Sequence, residues 1–180
     1  MAAAFTNVLR VQESEKTVVS MNRVEVAFWP PETAVKYLAT GGLNSCTGVA
    51  IVSPQAGILA HIAPLPPGST QSTLDQSPNA SVDNARVLLR AIADLYRSHQ
   101  DKFGTSQTYV VAGIFNNSPA MSDAIRIIQQ FFSNLQLPVI WKSYPVVTEG
   151  LRPNGYSNIV VHAEHLGAMP RVYINDQQVS

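Results

Sequence analysis

Cys46 is the sole cysteine of the 180-residue chain, and His61 lies one turn further along. A thiol attacks as thiolate, and at an ordinary pKa of ~8.5 it needs a base or a cation beside it to react near neutrality. An imidazole supplies both. The run Ala39-Thr40-Gly41-Gly42-Leu43-Asn44-Ser45-Cys46-Thr47-Gly48 sets the thiol just after a glycine-bearing turn, at the start of an apolar stretch. Glycines let backbone amides come close to a ligand, and amides beside a nucleophile can hold an oxyanion. The amides of Ser45 and Cys46 and the side chain of Asn44 are the candidates for that task. Such a set suits acyl transfer through a thioester.

The turn between the two residues decides whether they meet. Ser53-Pro54-Gln55-Ala56-Gly57 is a turn signal between two apolar runs, so residues 47–52 and 57–63 are expected to form an antiparallel hairpin. With the turn centred between Pro54 and Gln55, facing residue numbers sum to 109 and Cys46 faces Ala63. His61 then lies diagonally from Cys46 on the same face, at about 7–8 Å between Cα atoms. A register shifted by one residue would put the two side chains on opposite faces.

Around this hairpin, period-two apolar patterns predict strands at 23–28, 34–40, 108–115, 139–144, 157–163 and 171–175. Val82, Ala85, Leu88, Leu89, Ile92, Leu95 and Tyr96 recur at helical spacing, with Asn79 or Ser81 available as N-cap and His99 at the end. A second helix is expected to be capped by Ser118, with Pro119 in its first turn and Ile125, Ile128, Phe132 and Leu135 buried; Pro138 stops it. Strands outnumber helices and adjoin by short turns, which predicts one α+β domain over 1–180, a layered sheet or sandwich core with two main helices. A chain this long buries roughly 70% of its unfolded surface.

With 12 basic and 12 acidic side chains the formal charge is zero, so no overall field draws the protein to nucleic acid or anionic lipid. One cysteine closes no intramolecular disulfide and builds no cysteine-rich zinc cage. No run approaches the ~18 apolar residues of a membrane span, and the amino terminus lacks a cationic and apolar leader, so the chain reads as cytoplasmic. The Pro-, Gly-, Ser- and Thr-rich stretch Pro64–Ala80 reads as a surface loop, and its place just after His61 suggests a lid.

The stretch from Thr40 through Cys46 and His61 to Pro66, with a threonine six residues before the cysteine and an Ala-His run ending in Leu-Pro after the hairpin, resembles the active-site region of CheD-type chemoreceptor glutamine deamidases. The wider superfamily includes the cytotoxic necrotizing factor toxins, and protein N-terminal asparagine amidohydrolases carry a similar Cys and His pattern. The resemblance implies a CheD-like fold in which Cys46 is the nucleophile, His61 the general base and acid, and Thr40 the residue that orients the imidazole. It implies a protein glutamine as substrate and no cofactor.

Two other functions fit the same residues. An N-terminal Asn or Gln amidase would need a carboxylate for the α-amino group, with Glu32, Asp75 and Glu149 as candidates. A non-catalytic module would use the scaffold to hold a protein partner. His162 and His165 flank Glu164, but on an extended strand they point to opposite faces, and no metal is assigned to them. Arg152-Pro153-Asn154-Gly155-Tyr156 reads as a turn. Trp29 and Trp141 read as packing residues.

Overall fold

The computed structural model describes residues 5–69, 72, 77, 79–147 and 157–180. The order is α1 (Phe5–Val8), β1 (Lys16–Val18), β2 (Arg23–Phe28), β3 (Tyr37–Leu43), β4 (Thr47–Val52), β5 (Ala56–Ile62), α2 (Ala80–Ser98), β6 (Gln107–Phe115), β7 (Ser118–Pro119), α3 (Ser122–Asn134), β8 (Val139–Pro145), β9 (Ser157–His162), β10 (Arg171–Ile174) and β11 (Gln177–Gln178). The fold is α+β, built on two sheets. The first has the order β1-β3-β9-β10-β11; the second runs β2-β5-β4-β6-β7, with β8 also paired to β6.

Alternation along the strands sorts the apolar side chains into layers. Leu38, Leu43, Cys46, Ala50, Val52, Leu59, Ile159, Val161 and Val172 fill the space between the sheets. The opposite faces of β4 and β5, carrying Val49, Ile51, Ile58, Ala60 and Ile62, pack on Leu88, Leu89 and Ile92 of α2 and Ala124, Ile128 and Phe132 of α3. Ala39, Val160 and Tyr173, on the outer face of the first sheet, are covered by Val8 with Phe5 beside it. The β4–β5 hairpin is thus buried on both faces.

The hairpin register is the one its turn predicts: Thr47 pairs with Ile62, Gly48 with His61 and Val52 with Gly57. The turn is held by Ser53, whose Oγ accepts hydrogen bonds from the amides of Gln55 and Ala56. Several expectations need correcting. The strand expected at 34–40 runs instead over Tyr37–Leu43, because a left-handed Gly42 (φ +76°) lets it continue through a bulge. Ser118 and Pro119 do not open a helix; they fold back on Ile114 and Phe115 as β7, and α3 begins at Ser122 after Met121. Asn79 does precede α2, but its side chain makes no capping bond. Trp29 is buried, as expected, with Nε1 donating to the Ser53 carbonyl. Trp141 is instead 40% exposed. The turn at Arg152–Tyr156, Asp75, Glu149 and residues 70, 71, 73–76 and 78 of the stretch Pro64–Ala80 lie outside the described residues. No described helix is long and apolar enough to cross a membrane.

Candidate functional site

Cys46 ends the turn that leads from β3 into β4, and the sequence there forces a sharp change of direction. Ser45 sits in the left-handed region at φ +71°, a conformation costly for a residue with a side chain and one that is retained where the surroundings impose it. Three contacts do so. Asn44 Nδ2 donates to the Val147 carbonyl at 3.0 Å while Asn44 Oδ1 accepts from the Val147 amide at 3.0 Å, tying the turn to the segment after β8. Tyr144, buried in β8, donates its hydroxyl to the Cys46 carbonyl at 2.6 Å. Tyr144 fits because position 113 is glycine: a Cβ there would come within 3.0 Å of the Tyr144 hydroxyl oxygen. The Cys46 thiol itself points back toward the Asn44 carbonyl, 3.9 Å away.

His61 lies near the end of β5, opposite Gly48 on one side and Arg23 of β2 on the other. Strand alternation puts it on the face of Leu59 and Ala63, the inner face that also carries Cys46. Gly48 leaves no side chain between them, and there is no room for one, since a Cβ at that position would lie 2.2 Å from Ile159 Cδ1. Across the sandwich, Thr40 of β3 brings Oγ1 to 2.9 Å from His61 Nδ1. The same hydroxyl lies 2.7 Å from the Val19 carbonyl, to which it must donate. A hydroxyl has one proton, so Thr40 accepts from His61, and the imidazole proton sits on Nδ1. Nε2 therefore presents a lone pair. It is buried and has no hydrogen-bond partner among the described residues.

The chain leaving His61 is pinned as firmly. The Asn22 amide donates to the His61 carbonyl at 2.8 Å. Asn22 Oδ1 accepts from the Ala63 amide at 3.0 Å and from Asn84 Nδ2 at 2.9 Å, and Asn84 also donates to the Ala63 carbonyl at 2.8 Å. Thus α2 is bonded to the end of β5 through two buried asparagines.

Cys46 and His61 are 4% and 3% exposed. Burial pushes the thiol pKa up, more than the nearby Asn44 backbone pulls it down. Burial lowers the His61 pKa to about 4. At neutral pH both groups are uncharged, so the site holds a thiol turned toward the Asn44 carbonyl and an unprotonated imidazole, not hydrogen-bonded to each other and not a preformed ion pair. The amides of Ser45 and Cys46 donate to no acceptor among the described residues, which leaves them able to bind an oxyanion. Asn44 has its amide oxygen and one N–H committed to Val147, so its structural part is to hold the turn.

Of the residues singled out by sequence, Thr40 and His61 meet in a hydrogen bond between the two sheets, and Cys46 lies on the same inner side of the second sheet as His61. Glu32 does not join them: it follows β2 at the end far from Arg23 and His61, where it pairs with Lys102 at 3.0 Å. His162 stacks on Tyr37, and His165 is exposed on the loop that follows. Sequence reasoning missed Asn22, Asn84 and Tyr144. Only Asn84 left a signal, as a polar residue inside the apolar stripe of α2. No protein-family model matches the chain, and no curated protein matches it.

Proposed function

We propose that this protein is a cysteine amidohydrolase that deamidates a glutamine side chain of a protein substrate, on a fold resembling the CheD-type deamidases. The observation that carries the reading is the state of His61: Nδ1–H donated to Thr40, Nε2 bare, buried and unpartnered, on the strand face it shares with Cys46. A buried imidazole nitrogen without a partner is costly, and a base awaiting a proton accounts for it.

In this mechanism Nε2 takes the thiol proton as Sγ attacks the carboxamide carbon. The amides of Ser45 and Cys46 hold the oxyanion. His61 then returns the proton to the departing nitrogen, releasing ammonia and leaving a thioester. Water, deprotonated by Nε2, breaks the thioester to give the carboxylate and restore the thiol. Thr40 keeps the imidazole in the tautomer each step requires, and neither a metal nor a cofactor enters the scheme.

Ammonia release from N-acetylated glutamine peptides, with unblocked peptides bearing amino-terminal Gln or Asn in parallel, is the test. The proposal expects release from the acetylated peptides and none from a Cys46→Ala variant with an unchanged melting temperature. Release from unblocked peptides alone would make the protein an N-terminal amidase. No release from either set, or activity surviving in Cys46→Ala, would overturn the catalytic reading. A second reading, a non-catalytic binding module, draws on the burial and raised pKa of the thiol. It predicts that Cys46→Ala changes neither activity nor partner binding.

A further inference from the structure

The helix layer on the other face of the second sheet from Cys46 carries an open groove between α2 and α3, and its chemistry matches no part of the deamidation scheme. The groove has a volume of about 540 Å³. Leu89 and Ala93 of α2 and Ile127 and Phe131 of α3 form its floor, while Arg86, Arg90 and Arg97 stand along the α2 side with a single carboxylate, Asp94, among them. Three of the chain's eight arginines therefore lie on one helix face, in a protein whose formal net charge is zero.

Positions 86, 90, 93 and 97 share one stripe of a helix, so the arginines span about 16 Å, three turns of helix. Arg86 pairs with Asp83 at 2.9 Å and Arg97 approaches Asp94 at 3.9 Å, both within the helix and both exposed. Arg90, between them, has no carboxylate partner among the described residues. Like charges at i and i+4, as with Arg86 and Arg90, oppose helix formation. Exposed pairs of the kind Arg86 and Arg97 make are weak and exchange readily for better partners. The α3 side is uncharged at the groove, where Gln130 bonds Asn134 at 2.9 Å.

We infer that this groove docks an acidic amphipathic helix of a partner protein, its apolar stripe on Leu89, Ala93, Ile127 and Phe131 and its carboxylates on Arg86, Arg90 and Arg97. The charge decides the occupant: an apolar floor alone would accept any amphipathic helix, whereas a one-sided cationic rim selects carboxylates along one flank and rejects lysines. Nothing in this inference depends on the activity of Cys46.

Fluorescence anisotropy with two labelled synthetic helices tests it. Both carry leucines at i, i+3, i+4 and i+7; one has glutamates along a single flank and the other has lysines there. The 180-residue chain should bind the glutamate helix at least ~10-fold more tightly than the lysine helix, and the preference should shrink as salt rises and the Debye length falls. Arg90→Glu, at an exposed position that leaves the fold intact, should remove the preference, and Ala93→Trp, which fills the groove, should weaken both peptides. Equal binding of the two peptides, or a preference that survives Arg90→Glu, would overturn the inference. So would a concentration-dependent dimer, abolished by Arg90→Glu in sedimentation, since it would make a second copy the occupant.

Discussion

At His61 a hydrogen bond and burial act on the same ring from opposite ends. Thr40 fixes the proton on Nδ1, and desolvation lowers the pKa to about 4. The unfolded chain protonates this residue near pH 6.5, so between pH 6.5 and 4 it binds a proton the native state refuses, and stability falls as the pH drops. The contribution is fully present above pH 6.5 and amounts to about 3 kcal/mol lost by pH 4. Urea unfolding at pH 7 and pH 4.5 should show most of that loss in the wild type and little of it in His61→Ala; equal losses would contradict the assignment. Activity should hold down to about pH 4.5 on the acid side, because the base stays unprotonated there. Thr40→Val removes the acceptor for Nδ1–H and frees the tautomer, which is expected to lower kcat by 10- to 100-fold or about 1–3 kcal/mol, while Thr40→Ser retains most activity. A Thr40→Val enzyme with wild-type kcat would separate this contact from the chemistry.

The elements that hold these residues were legible in the sequence in proportion to how local their partners are. The β4–β5 register followed from Ser53–Gly57 alone, because a hairpin is closed by its own turn. The parallel pairs β1 with β3 and β6 with β8 had no such signature, since their partners are joined through long excursions of chain. Ser118 and Pro119 are the exception: they carried the residue types of a helix start, but a two-residue hairpin closed by left-handed Asn116 and Asn117 pairs them with Phe115 and Ile114. Thr40 was found only by resemblance: its spacing to His61 says nothing, because the contact crosses from one sheet to the other. The asparagine clamp joining α2 to β5 was invisible for the same reason. Replacing Asn84 by Leu strands the Ala63 carbonyl in the core and should cost roughly 1–3 kcal/mol, read as a lower urea midpoint. Tyr144→Phe should cost a similar amount by leaving the Cys46 carbonyl unpaired, and should lower kcat more than it raises KM, because the turn it steadies carries the nucleophile.

Across the whole molecule the layers are unequal. One face of the second sheet is covered by α2 and α3, whereas the outer face of the first relies on the short α1, with Phe5 lying against Gly41 so closely that a Cβ there would meet its ring at 2.4 Å. Lys16, nearly buried, ties the segment down through the carbonyls of Leu9 and Val11 at 2.8 and 2.9 Å. Removing residues 1–9 should therefore cost about 3 kcal/mol from the lost burial of Phe5 and Val8, measurable as a fall in the denaturant midpoint. Among the described residues, the side-chain hydrogen bond that joins the sheets at the site is that between Thr40 and His61. Because its two ends belong to different sheets, the imidazole proton acts as a gauge of their separation. Its NMR resonance should shift under hydrostatic pressure before any strand signal does, and a sliding of the sheets by a fraction of an ångström would idle the protein while leaving it folded.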